Sequence, residues 1–353
     1  MKCCVNCFKD PFLQDTIKKL GEIGNCDFCS SKNVAVYDIS VQNEVSEKIL
    51  ELLQAYEPSD FPEAKQLKYA LHDDWEIFSG GVEAVQTLLN SLCSSYNEFK
   101  TEMFLSKVII PQAYDDEYIK ENCVIKNQSW SQFSESIKYN NRFHNANFNG
   151  DKFSSFLSLA VEKIGPEDKF YRARIAPSKL GFKKNEMYAP PKGFRKQGRA
   201  NPDGICVLYL ASDEETALNE VRANKYDYVT IGTFKTKREL EIVNLSKIFS
   251  LSAFDFDELA LYYINKGIFK EMALELAKPQ RRSDSYLEYL PTQYISEFIK
   301  SGGRDGVAYN STLHNGGLNL AMYDEDAFNC VSVKTVEVTE SKYEFKTIKK
   351  GSD

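Results

Sequence analysis

Four cysteines constrain the start of this chain more than any other residues do. Cys4-x2-Cys7 is followed, after 18 residues, by Cys26-x2-Cys29, with Gly21, Gly24, Asn25 and Asp27 supplying turns around the second pair. Two thiolate knuckles at that spacing can place four sulfurs tetrahedrally around one Zn²⁺, and the ion then holds together a segment too small to own a core. Such a site has no open coordination position, so its role is structural. Two disulfides, or thiols without a ligand, are the other readings. Disulfides need an oxidising compartment, and the first ten residues hold no apolar stretch of signal-peptide length, so a cytoplasmic chain is expected. Cys3 leaves the register open, because Cys3-x3-Cys7 could replace Cys4-x2-Cys7; knuckle geometry favours Cys4. The remaining Cys93, Cys123, Cys206 and Cys330 sit in apolar or mixed runs and read as small core residues rather than nucleophiles.

Behind this ribbon, assigned to residues 1–40, apolar residues recur at helical spacing. Val45, Ile49, Leu52, Leu53 and Tyr56 form one stripe; Val82, Val85, Leu88, Leu89, Leu92 and Tyr96 form a second; Ser129–Tyr139 is a third helical segment. Residues 41–145 therefore read as a small helical bundle. Phe153, Phe156, Leu157, Ala160, Val161 and Ile164 continue the helical phase beyond a junction at Asn140–Gly150. The texture then changes to short segments rich in β-branched and aromatic residues, at Lys169–Ile175, Cys206–Ala211, Tyr228–Phe234, Glu241–Leu245, Gly306–Asn310, Leu318–Tyr323 and Cys330–Val338. Helical patterns separate them at Asp213–Ala223, Phe254–Tyr263, Ile268–Leu276 and Thr292–Lys300. The expected fold class is α+β, with a mixed domain over 146–350 and a frayed tail at 349–353. Ser212 is expected to cap the first of those helices, with Glu215 returning the bond. No apolar run approaches the roughly 20 residues of a membrane span.

Charge is distributed unevenly. Residues 1–150 hold 14 Lys plus Arg against 22 Asp plus Glu, the remainder 30 against 29, and all ten arginines lie between Arg142 and Arg304. An acidic front half argues against general nucleic-acid binding, which relies on clustered positive charge. Residues 172–199 concentrate nine basic side chains (Arg172, Arg174, Lys179, Lys183, Lys184, Lys192, Arg195, Lys196 and Arg199) against the single acid Glu186, an excess suited to a small polyanion. On a strand, Arg172 and Arg174 share one face. Gly198-Arg199-Ala200-Asn201-Pro202-Asp203-Gly204 is a glycine-rich turn, so guanidinium forks and an approachable backbone fit a pyrophosphate. By spacing alone these are also a solvated strand face and an ordinary β-turn. Glu220, at the edge of a helical stripe, is by the same measure a surface acid paired with Lys225 or Arg222, and Ser311 a turn-capping serine.

Other chemistries lack their residues. No Gly-x-Ser-x-Gly elbow, Gly-x4-Gly-Lys-Ser/Thr loop or Gly-x-Gly-x2-Gly turn occurs. The front bundle lacks the Arg-x4–6-His of a HEPN-superfamily ribonuclease: no arginine precedes His72, Arg142 is two residues from His144, and Arg304 is ten from His314.

Five pieces in order carry a resemblance: Phe170-Tyr171-Arg172-Ala173, Gly198-Arg199-Ala200-Asn201-Pro202, Leu208-Tyr209-Leu210-Ala211, Thr216-Ala217-Leu218-Asn219-Glu220-Val221-Arg222 and Asp305-Gly306-Val307-Ala308-Tyr309-Asn310-Ser311. Together they resemble the RES domain family, named for its Arg, Glu and Ser, over about residues 150–335. The zinc-plus-helix front resembles the HEPN-like N-terminal domain fused to some RES proteins. Ala200 departs from the aromatic residue that small stand-alone RES toxins carry after Gly-Arg. The resemblance implies a fold similar to ADP-ribosyltransferase toxins and breakdown of NAD⁺. Carried over, Glu220 is the catalytic acid; Arg172 and Arg199 hold phosphate or ribose oxygens; Tyr209 shapes the nicotinamide end; Ser311 bonds the dinucleotide; and Arg174 and Asn201 belong to the same substrate site. The expected activity is an NAD⁺ glycohydrolase or phosphorylase acting as a toxin or antiviral effector. ADP-ribosyl transfer to a macromolecule, or binding of NAD⁺ or a partner without turnover, are the alternatives. A regulatory front domain, homo-oligomers and an antitoxin-type partner are expected with it.

Overall fold

The computed structural model describes residues 1–95, 103, 106–126, 129–191, 193–276 and 285–340. Tyr96, Lys192 and the tail at 349–353 lie outside them, as does the side chain of Cys93. The chain divides into two compact units, residues 1–127 with 250–268, and residues 128–249 with 269–353.

The first unit opens on a three-stranded antiparallel sheet of β1 (Lys2–Cys4), β2 (Ile23–Gly24) and β3 (Val34–Asp38), in the order β1-β3-β2. Helix α1 (Pro11–Lys19) starts where Asp10 caps the Leu13 amide at 3.0 Å and Pro11 fills the first turn. The expected stripes are helical: α2 (Glu44–Gln54) buries Val45, Ile49, Leu52 and Leu53, and α4 (Val82–Ser95) follows α3 (Leu67–Trp75). Residues 41–145 are nonetheless not purely helical. A second small sheet of β4 (Glu57–Pro58), β5 (Lys65–Gln66) and β6 (Lys107–Ile109) precedes α5 (Asp116–Asn122); strands this short carry no periodicity for a sequence reading to detect. Residues 250–268 return to this unit: Phe254 packs on Phe12 with ring centroids 5.6 Å apart, Tyr262 stacks on Trp75 at 6.3 Å, and the Asn265 side chain accepts from the Val124 amide at 2.8 Å.

The second unit is built on an eight-stranded sheet. Its strands are β7 (Val161–Ile164), β8 (Lys169–Ala176), β9 (Leu208–Ala211), β10 (Tyr228–Thr236), β11 (Leu240–Asn244), β12 (Gly306–Asn310), β13 (Leu318–Met322) and β14 (Phe328–Glu337), ordered β14-β10-β8-β9-β13-β12-β11-β7. All neighbours run antiparallel except β11 and β12. A parallel pair needs a long crossover, and the chain between β11 and β12 contains the 250–268 excursion as well as α9 (Leu245–Ile248), α10 (Leu259–Leu276) and α11 (Leu290–Ser301). The two helices expected at 254–263 and 268–276 are thus the single α10, with Gly267 tolerated inside it. The seven expected strands are all present.

Two boundaries differ from the sequence reading. Helix α6 (Trp130–Tyr139), placed above with the front bundle, belongs to the second unit. Phe133 on α6 packs on Phe148 and on Tyr294 of α11 at 5.7 and 5.6 Å, and Phe148 packs on Phe298 at 5.1 Å; this aromatic set has no periodicity within α6 itself. Helix α7 (Gly150–Leu159) stops before Val161, and Val161–Ile164 is the edge strand β7 paired with β11. β-Branched residues ahead of Gly165-Pro166 favour the strand once a partner edge is present.

Side chains of the sheet interior close a core in which Phe234, on β10 between β14 and β8, is fully buried and meets the Tyr188 ring edge-on at 5.4 Å. Phe234→Ala is expected to destabilise the second unit by about 3–5 kcal/mol, read as a lower urea midpoint for its unfolding transition; an unchanged midpoint would show that this ring is not part of the cooperative core.

Candidate active site

Register sets the floor of a cavity of about 370 Å³ in the second unit. Tyr171 of β8 lies opposite Ala211 of β9, Ala211 opposite Asn319 of β13, and Asn319 opposite Tyr309 of β12. All four line the cavity, with Tyr209 two residues before Ala211 on the same strand face. Above this row stand Ala217, Glu220, Val221 and Arg222 from α8 (Glu214–Glu220) and its exit, together with Arg199, Tyr289, Thr312 and Leu313.

Asp213 caps α8, accepting from the Thr216 amide at 2.7 Å. Ser212, the expected cap, instead has its hydroxyl on Asp213 at 2.9 Å and accepts from the Leu318 amide at 3.1 Å, tying β9 to β13. Helix α8 thereby presents Glu220 at its last turn. One Glu220 carboxylate oxygen, Oε1, accepts from the Ser311 hydroxyl and from Asn319 Nδ2, each at 2.7 Å. Ser311 also accepts from the Leu313 and His314 amides at 3.2 and 3.1 Å. The serine expected to bond a ligand therefore orients the carboxylate, and Asn319 holds it from the neighbouring strand.

Arg172 enters from β8. Its Nη1 donates to the Tyr209 carbonyl at 3.1 Å, while Nε is buried with no hydrogen-bond partner. Burial, then the nearby Arg174 guanidinium, pulls it down to about 10, so it remains a cation at neutral pH. A buried cation with an unsatisfied N–H is costly until an acceptor arrives, and an anionic ligand would supply one. Arg174 does share the strand face, but it does not line the cavity: it donates to the Glu186 carbonyl and stacks on Phe182, with 4.3 Å between guanidinium and ring centre.

The Arg199 turn is held from both sides. Asn201 is 3% exposed. Its Nδ2 donates to the carbonyls of Lys196, Pro202 and Ile205 at 3.0–3.2 Å, and its Oδ1 accepts from the Tyr209 hydroxyl at 2.7 Å. The Tyr209 hydroxyl in turn accepts from the Ala200 amide at 3.0 Å. Asn201 is thus engaged inside the turn rather than open to a ligand. A Cβ on Gly198 would lie 2.5 Å from the Tyr209 hydroxyl, so the glycine serves approach to this tyrosine. From α11, Thr292 donates to the Arg199 carbonyl, Gln293 to the carbonyls of Gly198 and Asn201, and Ser296 to the Ala200 carbonyl, all at 2.8–2.9 Å. Sequence reading missed this clamp, as it missed Tyr171, Tyr289, Tyr309 and Asn319; only Asn319, a polar residue inside an apolar strand, left a local signal. Burial pushes the Tyr209 and Tyr309 hydroxyls up from their ordinary range, keeping both protonated as donors.

In the first unit the sulfurs of Cys4, Cys7, Cys26 and Cys29 lie within 4.8 Å of one another. Cys4 is 3.3 Å from Cys29 and 3.9 Å from Cys7, and Cys7 is 3.6 Å from Cys26. Four thiolates around a tetrahedral Zn²⁺ stand about 3.8 Å apart, so the set fits that ion. Cys3 is not among the four; it is fully buried with Phe8, Leu13 and Tyr37.

Residues 169–345 match the RES domain. The chain belongs to the RES domain family. A solved structure from M. tuberculosis, the MbcT–MbcA toxin–antitoxin complex, is similar at 13% identity and a TM-score of 0.30, covering 52% of this chain and 91% of that one. No curated protein matches. Among the described residues, no helix is long and apolar enough to cross a membrane. Within the RES domain the cavity brings together Arg172, Arg199, Tyr209 and Glu220, with Ser311 behind the carboxylate.

Asn201→Ala is expected to leave the Tyr209 hydroxyl and three carbonyls without this partner, at a cost of about 2–4 kcal/mol. The readouts are a lower melting temperature and faster proteolytic cleavage within residues 196–205; cleavage at the parent rate would mean that the α11 clamp alone holds the turn.

Proposed function

We propose that this protein consumes NAD⁺, cleaving the bond between nicotinamide and ribose. The observation that carries the reading is the fixed Glu220 carboxylate facing a cavity that also holds Arg172 and Arg199. Nicotinamide departs as a neutral base with the electron pair of the C–N bond, so the step needs little acid catalysis. The greater need is to stabilise the oxocarbenium-like ribosyl group left behind, and a carboxylate oriented by Ser311 and Asn319 supplies the opposing charge. Water or phosphate then attacks the anomeric carbon; water gives up a proton and yields ADP-ribose, whereas phosphate yields the phosphorylated sugar. Arg172, whose Nε lacks a partner, and Arg199 hold phosphate oxygens, and Tyr209, fixed by Ala200 and Asn201, shapes the wall. Depleting NAD⁺ would arrest growth, which suits a toxin or antiviral effector with an antitoxin-type partner.

Nicotinamide release from NAD⁺, with and without phosphate, tests this. Glu220→Ala and Arg199→Ala are each expected to lower the rate by about 10²–10³-fold; absence of release by the folded parent protein, or parental rates in both variants, would overturn the reading. Label transferred from NAD⁺ to a macromolecule would point to ADP-ribosyl transfer instead.

The four-cysteine cluster is proposed to hold one structural Zn²⁺. Metal analysis should find one zinc per chain, and Cys26→Ser should lose it and lower the melting temperature of the first unit; a metal-free parent with the same melting profile as Cys26→Ser would exclude the ion.

A further inference from the structure

Arg222 occupies a position that a sequence usually gives to glycine. Helix α8 ends at Glu220, Val221 keeps helical dihedrals, and Arg222 then enters the left-handed region with φ +50°. That position after a helix favours Gly or Asn, because a Cβ there crowds the backbone. An arginine is held in this conformation at a cost, and strained backbone of this kind tends to mark functional side chains. Arg222 lines the same cavity as Arg172 and Arg199, two residues from Glu220.

Charge supplies the second argument. Three arginines, Arg172, Arg199 and Arg222, and one glutamate, Glu220, line the cavity. A pyrophosphate bridge between two sugars carries two negative charges on four non-bridging oxygens, and guanidinium forks are suited to grip such oxygens in pairs. Resting on the reading of this cavity as an NAD⁺ site, we propose that Arg222 is a third anion-holding residue, one that grips the pyrophosphate bridge of the dinucleotide. Arg222 then separates substrates that carry the bridge from a nicotinamide riboside that lacks it.

The test uses the full chain with Arg222→Gly and Arg222→Lys. Glycine accepts the left-handed turn and removes the whole side chain, guanidinium group included; lysine keeps a stem and the charge without the fork. Inorganic pyrophosphate, measured by calorimetry, is expected to bind the parent more tightly than orthophosphate does. Its Kd should rise about tenfold or more in Arg222→Gly and less in Arg222→Lys, with melting temperatures confirming folded variants. In nicotinamide release, the preference for NAD⁺ over nicotinamide riboside, as a ratio of kcat/KM, should fall about tenfold in Arg222→Gly. Parental pyrophosphate affinity in Arg222→Gly, an unchanged substrate ratio, or orthophosphate binding as tightly as pyrophosphate would each overturn the proposal. Pyrophosphate binding that depends on Arg222 in a protein releasing no nicotinamide would retain the anion site and reject the cleavage chemistry. Nicotinamide release with parental preference in Arg222→Gly would do the reverse.

Discussion

A one-residue slip along β8, β9, β13 or β12 would turn its member of the row Tyr171, Ala211, Asn319 and Tyr309 to the opposite face of the sheet, because side chains alternate with period two. The cavity floor is therefore a property of register rather than of any single residue. What pins the register is partly apolar, with Leu208, Leu210, Phe234, Leu320 and Phe328 sharing one core. It is also partly polar: Ser212 bonds the Leu318 amide across β9 and β13, and Asn319 reaches Glu220. The same pairing that fixes the sheet thus aims the carboxylate.

Electrostatics in the cavity follow from what the protein leaves unpaired. Glu220 has two neutral donors, Ser311 and Asn319, on one carboxylate oxygen. Arg172 is buried against a carbonyl, with one N–H unmatched. Arg195, by contrast, has its carboxylate in Glu325 at 3.2 Å. The guanidinium groups of residues 172–199 consequently have different roles, although composition presents them as one basic cluster.

That difference shows where sequence reading succeeds and where it stops. The strands of the second half were legible because each carries β-branched and aromatic residues over enough positions to show a pattern. Arg172, Arg199, Tyr209 and Glu220 were legible as ordered motif pieces, and the structure collects them around one cavity. Arg174 and Asn201 sit in the same pieces but are engaged by Glu186, Phe182 and the turn's own carbonyls. Only tertiary pairing separates a side chain that faces a ligand from one that secures a loop. The α11 clamp was hidden for the same reason: Thr292, Gln293 and Ser296 are ordinary helix residues until the Arg199 turn lies beside them. The α6 and α7 boundaries were misread because Tyr294, an aromatic partner of α6, and the edge partner of Val161–Ile164 lie more than 70 residues away.

The return of residues 250–268 to the first unit has a consequence for biosynthesis. A ribosome delivers the chain from its N-terminus, so the partners that Phe12 and Trp75 find in Phe254 and Tyr262 do not exist until the whole β8–β11 segment has been made. Tyr289, the α11 clamp, β12 and β13 are delivered later still. A complete cavity around Glu220 consequently forms only after residues 250–268 of the first unit have been made. Whatever chemistry Glu220 performs, the order of the chain withholds it until β12 and β13 have been made.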